Sequence, residues 1–142
     1  MAKTNDLEAG ILGLILNGTA IANLADNAAS SPLTSFYVSL HTASPGDTGD
    51  QTTSEATYTG YARVALSRAG AAWTISNGTA TLNNNITFAE CTASSNTITH
   101  FGIGSASSGT GVLYYYGALS SSISVISGVT PRILAGSTIT ED

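Results

Sequence analysis

The hydrophobic period of this chain changes near Phe36, and that change limits its fold more than any other feature. Before it, apolar residues recur at helical spacing. Leu7, Ile11, Leu14 and Ile15 stand at i, i+4, i+7 and i+8, one face of an α-helix, with Leu12 and Leu16 widening the stripe. Asn5 or Asp6 is placed to cap this helix, and Glu8 lies in its first turn, where the helix dipole favours negative charge. Asn17-Gly18 is a natural stop. Ile21 and Leu24 are expected to continue as a second short turn ending near Asp26-Asn27, followed by a small polar loop, Ala28 to Thr34, broken by Pro32.

From Phe36 onward the period is two. Phe36, Val38 and Leu40 alternate with Tyr37, Ser39 and His41, the pattern of a half-buried strand. Ala43 to Thr57 has no apolar period and reads as a long surface loop. Tyr61 to Leu66 follows as a strand. Trp73 to Ile75 and Thr79 to Leu82 then flank Asn77-Gly78, which supplies the positive φ angles of a type I′ hairpin turn. Ile86 to Phe88, Ile98 to Ile103, Val112 to Leu119, Ile123 to Ile126 and Val129 to Leu134 bring the total to about eight strands. The expectation is a mainly β protein: a jelly-roll-like antiparallel β-sandwich with an N-terminal α-helix. It is read as a single domain over 1–142, with a helical segment at 1–27 and the sandwich at 35–142.

Charge narrows the range of partners. Of 142 residues 9 are acidic and 4 basic, a net charge of −5, so charged residues make up 9% of the chain against about 25% in ordinary soluble domains. Lys3, Arg63, Arg68 and Arg132 are scattered, whereas phosphate binding draws on clustered cations, so nucleic acid is not an expected partner. No run approaches the roughly 20 apolar residues of a membrane span. The run Ile11 to Leu16 is too short for a secretory signal, and synthesis and folding in the cytoplasm are expected. Cys91 has no second cysteine to pair with and reads as a small buried hydrophobe.

No constellation carries an evident reaction, and no catalytic residue, metal site or cofactor is assigned. His41 and His100 are the two histidines, without a Gly-x-Ser-x-Gly elbow or other catalytic spacing around them. His100 is expected to face solvent or an interface. Asp47, Asp50 and Glu55 share one loop but lack the spacing of a calcium loop, and they read as a solvated acidic segment. Gly102 to Gly111 is glycine-rich without the lysine or helix that would hold phosphate, and it reads as a flexible strand connection. Tyr114, Tyr115 and Tyr116 put aromatic surface on both faces of a strand, either as core and cross-strand cover or as part of an interface.

Two motifs, Leu40-His41-Thr42-Ala43-Ser44-Pro45-Gly46 and Tyr58-Thr59-Gly60-Tyr61-Ala62-Arg63-Val64, together resemble a family of small tailed-bacteriophage virion proteins in which they recur. The resemblance extends to Met1-Ala2-Lys3-Thr4-Asn5, Ile86-Thr87-Phe88, Thr99-His100-Phe101-Gly102-Ile103-Gly104, Gly128-Val129-Thr130-Pro131 and Thr138-Ile139-Thr140-Glu141-Asp142. It implies a structural protein, not an enzyme. The first expectation is a capsid decoration (cement) protein on the outside of the head, a homo-oligomer (dimer or trimer) bound to the major capsid protein. The alternative is a tail-fibre or appendage module that engages the host. Leu7, Ile11, Leu14, Ile15 and Tyr114, Tyr115, Tyr116 are the candidate oligomer or capsid interface.

Overall fold

The computed structural model describes residues 4–21, 32–70 and 72–141. The expected second turn through Leu24 to Asp26-Asn27 lies outside the described residues, as do Met1 to Lys3, Ala28 to Ser31 and Asp142. The protein is mainly antiparallel β with one N-terminal helix, as expected, and its sheets form no closed barrel. Nine strands occur among the described residues, arranged in two compact units between which the chain passes repeatedly.

The first unit comprises residues 1–35, 67–86 and 133–142. Its helix, α1 (Asn5–Asn17), starts one or two residues earlier than a cap at Asn5 or Asp6 implies: Thr4 holds the extended N-cap position, and its hydroxyl makes no capping bond. Asp6 and Glu8 therefore fall inside the first turn, where they favour the dipole. Gly18 ends the helix at φ 63°, a left-handed conformation that costs glycine little, and Thr19 N–H donates to the Gly13 carbonyl at 2.9 Å. The helix packs on the hairpin β3 (Trp73–Ser76) and β4 (Thr79–Leu82), and β4 pairs in turn with β9 (Thr138–Thr140), a strand the periodicity did not reveal. The hairpin turn has positive φ at both Asn77 and Gly78, as a type I′ turn requires.

The helix buries a different face from the one its stripe suggested. Leu12 and Leu16 are fully buried, whereas Leu7 is 37% exposed and Ile11, Leu14 and Ile15 are half-buried. At 100° per residue the Leu12–Leu16 line lies about 135° from the centre of the expected stripe. The helix is apolar nearly all round, so its sequence could not decide which side meets the hairpin. Leu12 and Leu16 join Trp73, Ala80, Leu82 and Ile139 in the buried apolar set of this unit.

The second unit comprises residues 36–66 and 87–132. Its sheet has the order β2 (Val64–Ser67), β1 (Ser35–His41), β6 (Asn96–Gly104), β7 (Leu113–Val125). Strand β1 pairs antiparallel with β6 from Tyr37↔Gly104 to His41↔His100. β7 spans two segments expected as separate strands. Its register against β6 slips between Ile98 and His100, where Leu119 to Ser122 bulge out, and the serines there are exposed. Without Gly or Pro, those serines continue the strand. The chain crosses between units within β5 (Ile86–Thr87) and β8 (Arg132–Ile133), which pair as a two-stranded sheet.

Candidate functional site

Strand β1 is buried on both faces, not on one. Phe36, Val38 and Leu40 form the expected apolar row, but Ser39 and His41 on the opposite face are fully buried as well. What covers them is the supposed surface loop: residues 42–57 fold back over that face, carrying the fully buried Gln51 with them.

Glycines make the space. A Cβ on Gly102 would stand 2.7 Å from both His41 Nε2 and Ser39 Oγ, and one on Gly104 or Gly111 would overlap the Gln51 side chain. The glycine-rich run is thus neither a phosphate cradle nor a slack connection. It is the floor on which a buried polar cluster sits. Gln51 Oε1 accepts from Ala106 N–H at 2.9 Å, its Nε2 donates to the Tyr37 carbonyl at 3.4 Å, and its own N–H donates to the Thr110 carbonyl at 3.0 Å. A buried amide so partnered fixes one loop to another.

His41 and Ser39 form a serine–histidine pair, Oγ to Nε2 at 2.8 Å, while Nδ1 lies 2.8 Å from the Thr53 carbonyl. A carbonyl only accepts, so Nδ1 carries the proton and Nε2 accepts from the serine hydroxyl. Burial pushes the His41 pKa below its ordinary value and so favours the neutral ring, opposed chiefly by the bond to the Thr53 carbonyl. Both ring nitrogens are engaged and both side chains are sealed from solvent, so the pair ties the loop to the strand.

The second quoted motif closes the other side of the loop. Arg63 makes a bidentate pair with Glu55, Nε to Oε1 at 2.6 Å and Nη2 to Oε2 at 2.8 Å, and its remaining donors reach the Ala106 and Gly109 carbonyls. Tyr61 donates to Glu55 at 2.9 Å and accepts from Leu40 N–H at 3.1 Å. Burial raises the Tyr61 pKa strongly and that of Tyr58 to about 12, so both phenols stay protonated donors. The fork geometry and the carboxylate hold the Arg63 charge firmly in place. The two motifs are therefore halves of one network.

The carboxylates of the acidic loop are all engaged within the protein. Asp50 accepts from Thr52 N–H at 2.8 Å and Thr52 Oγ1 at 2.7 Å, which lowers its pKa. Glu55 is committed to Arg63, and Asp47 accepts from the Tyr116 hydroxyl. No group of three acidic, histidine or cysteine side chains is placed to hold a metal ion among the described residues. Cys91 is buried and free, its thiol directed at the Ala93 and Ser94 carbonyls, and His100 is half-buried with Nδ1 against Thr99 Oγ1 at 2.8 Å.

What this network displays is the outer strand. Among the described residues β7 stands at the end of the sheet order, with Tyr114 45% and Tyr116 38% exposed and Tyr115 half-buried between them. Tyr114 leans on Phe36 with ring centroids 5.2 Å apart, and Tyr116 is held by Asp47. Val112 and Ile126, at either end of the strand, are each 55% exposed.

The match to known proteins covers nearly all of this. A family model described as podophage GP4 fiber I protein gp80 matches residues 2–141. The chain belongs to that family. It is therefore a phage structural protein of fibre-like kind, which agrees with the virion family its motifs resemble and favours the fibre expectation over capsid decoration. No curated protein matches the chain. No helix among the described residues is long and apolar enough to cross a membrane.

Proposed function

We propose that this protein is a structural component of a phage tail fibre or comparable appendage, acting through protein–protein contact and not through catalysis. The family match over residues 2–141 carries this reading. The molecule supports it through the kind of surface it builds. Its most elaborate polar network is sealed beneath a loop, and what it leaves outside is an uncharged, tyrosine-bearing strand. Tyrosine presents a large rigid contact area at low entropic cost, which suits a docking surface. The half-exposed helix face of Leu7, Ile11, Leu14 and Ile15 is a second contact surface in this proposal, suited to another virion protein.

Copy number and position in the virion test the reading. An appendage protein is present in at most tens of copies and labels near the tail. A capsid-decorating protein, by contrast, is present in hundreds and labels the head. Quantifying the band against the major capsid protein, together with antibody labelling of intact particles, separates the two. Label spread over the head at near-stoichiometric copy number would overturn the fibre assignment.

A further inference from the structure

Residues 42–57 cover one face of β1 and β6, held there by Gln51, by Glu55 on Arg63 and Tyr61, by Asp47 on Tyr116 and by His41 on the Thr53 carbonyl. Amides, guanidinium groups and phenols keep their protonation state between neutral and mildly acidic pH, and carboxylates titrate nearer pH 4. The imidazole is the exception. We propose that a proton taken up by His41 releases this loop from the sheet before either unit unfolds, a response to acid built into the fold. It goes beyond the fibre assignment because it does not depend on where in the virion the protein sits.

The closed loop has no place for a second proton on the ring. Nδ1 donates to the Thr53 carbonyl at 2.8 Å, and Nε2 accepts from Ser39 Oγ at 2.8 Å. A proton on Nε2 would make it a donor facing the serine hydroxyl, whose own hydrogen would have to turn away. Ser39 is fully buried, and its hydroxyl makes no other bond among the described residues. That hydrogen would be left without an acceptor, which is costly away from water. Movement within the closed state is blocked as well. Both atoms stand 2.7 Å from the position a Gly102 Cβ would take, and Leu113 closes in at 2.8 Å from the same point.

The surrounding charges do not offset this. From the loop, Glu55 pairs with His41 as a bridge and favours the charged ring, but its oxygens are taken by Arg63 and Tyr61. Asp50 is turned to Thr52 and Thr53. Arg63, and His100 opposite on β6, disfavour a charge on His41, and β7 contributes only the apolar Leu113. Burial acts in the same direction and is the largest influence. Lifting the loop admits water to the ring, which then titrates near its ordinary value of about 6.5. The same movement withdraws Asp47 from Tyr116, so the outer strand responds with the loop.

The test is hydrogen exchange of the full chain at neutral pH and near pH 5, corrected for the intrinsic rate of exchange at each pH. Protection of residues 42–57 should fall about tenfold or more in acid, the linkage expected of a ring that titrates freely only when the loop is open. β3, β4 and β9 should change by less than about twofold. His41→Gln should leave loop protection the same at both pH values, whatever its level. In the wild type, ring protonation followed by NMR should share its midpoint with the loss of loop protection, which decides the matter even where the variant fails to fold. Loop protection unchanged in acid overturns the proposal. So does a loss spread equally over both units, a loss that persists in His41→Gln, or a midpoint separate from that of the ring.

Discussion

The two units of this molecule solve the same problem by opposite means. The helix-and-hairpin unit is held by apolar contact, with Leu12 and Leu16 on α1 among the same buried set as Trp73, Ala80 and Leu82. Its main polar device is Arg68, whose guanidinium donates to the Leu14, Ile15 and Leu33 carbonyls at 2.6 to 2.7 Å. There it satisfies the carbonyls at the end of α1 and complements the dipole. The loop-covered sheet also has apolar residues, but one whole face of β1 is closed by hydrogen bonds from His41, Gln51, Tyr61 and Arg63. Apolar packing tolerates adjustment, whereas a buried polar network depends on every member being paired. The first unit should therefore yield gradually to mutation, and the second abruptly.

The largest expected effect is in the network. Arg63→Met removes the partner of Glu55 and leaves the Ala106 and Gly109 carbonyls without their donors. The loss should be about 4 kcal/mol, since breaking a buried pair strands the remaining charge. Urea unfolding measures the total. Hydrogen exchange should show protection falling first at residues 42–55 and 105–110. Protection lost first in β3 and β4 would mean that the network is not what holds the loop.

Next comes the apolar unit. Leu12→Ala should cost about 3 kcal/mol, the usual penalty for a cavity at a fully buried leucine. Leu14→Ala, on the half-exposed face, should cost about 1 kcal/mol or less. Equal losses in the two variants would show that the helix buries both faces, which would remove the Leu7, Ile11, Leu14, Ile15 surface from the proposed contacts. An effect between these two is expected in the same unit from Gly78→Ala, about 2 kcal/mol. Gly78 sits at φ 71°, and a Cβ there would overlap the Glu8 carboxylate, which has a flexible side chain to move aside.

The difference between the units also explains what the sequence could convey. Local devices were legible: the Asn77-Gly78 turn, the Gly18 stop, the change of period at Phe36, and the resulting helix-then-strands architecture. The face of α1 was not, because leucines and isoleucines encircle it and only the hairpin chooses among them. Ser39 and His41 looked solvent-facing because alternation reports one buried face, while their cover comes from Gln51 and the loop around it. The signal for that cover lay far along the chain, in Gly102 and Gly104, whose missing side chains admit His41 and Gln51. Periodicity cannot register a vacancy created some sixty residues away. The tyrosine strand was recognised as a candidate surface, but its continuity through Ser120 to Ser122 was hidden, since exposed serines read as a joint.

The smallest effect, and the one that bears most directly on the network, is its response to acid. His41 in the folded chain has its pKa lowered, first by burial, with Arg63 and His100 acting in the same direction and the Thr53 carbonyl and Glu55 opposing. The unfolded chain protonates His41 near the ordinary value of about 6.5. A group whose folded pKa is depressed contributes stability that is fully present above the unfolded pKa. As pH falls below about 6.5, the unfolded state takes up the proton first, and stability declines until the folded pKa is passed. The urea midpoint should therefore fall between neutrality and mildly acidic pH, before the carboxylates titrate. His41→Gln keeps a neutral polar side chain, and it should remove that slope while lowering stability at neutral pH. Leu12→Ala should lower the curve without changing its slope, because no titrating group belongs to the packing it disturbs. A His41→Gln profile with the wild-type slope would transfer the acid sensitivity to another group and leave the serine–histidine pair a purely mechanical tie.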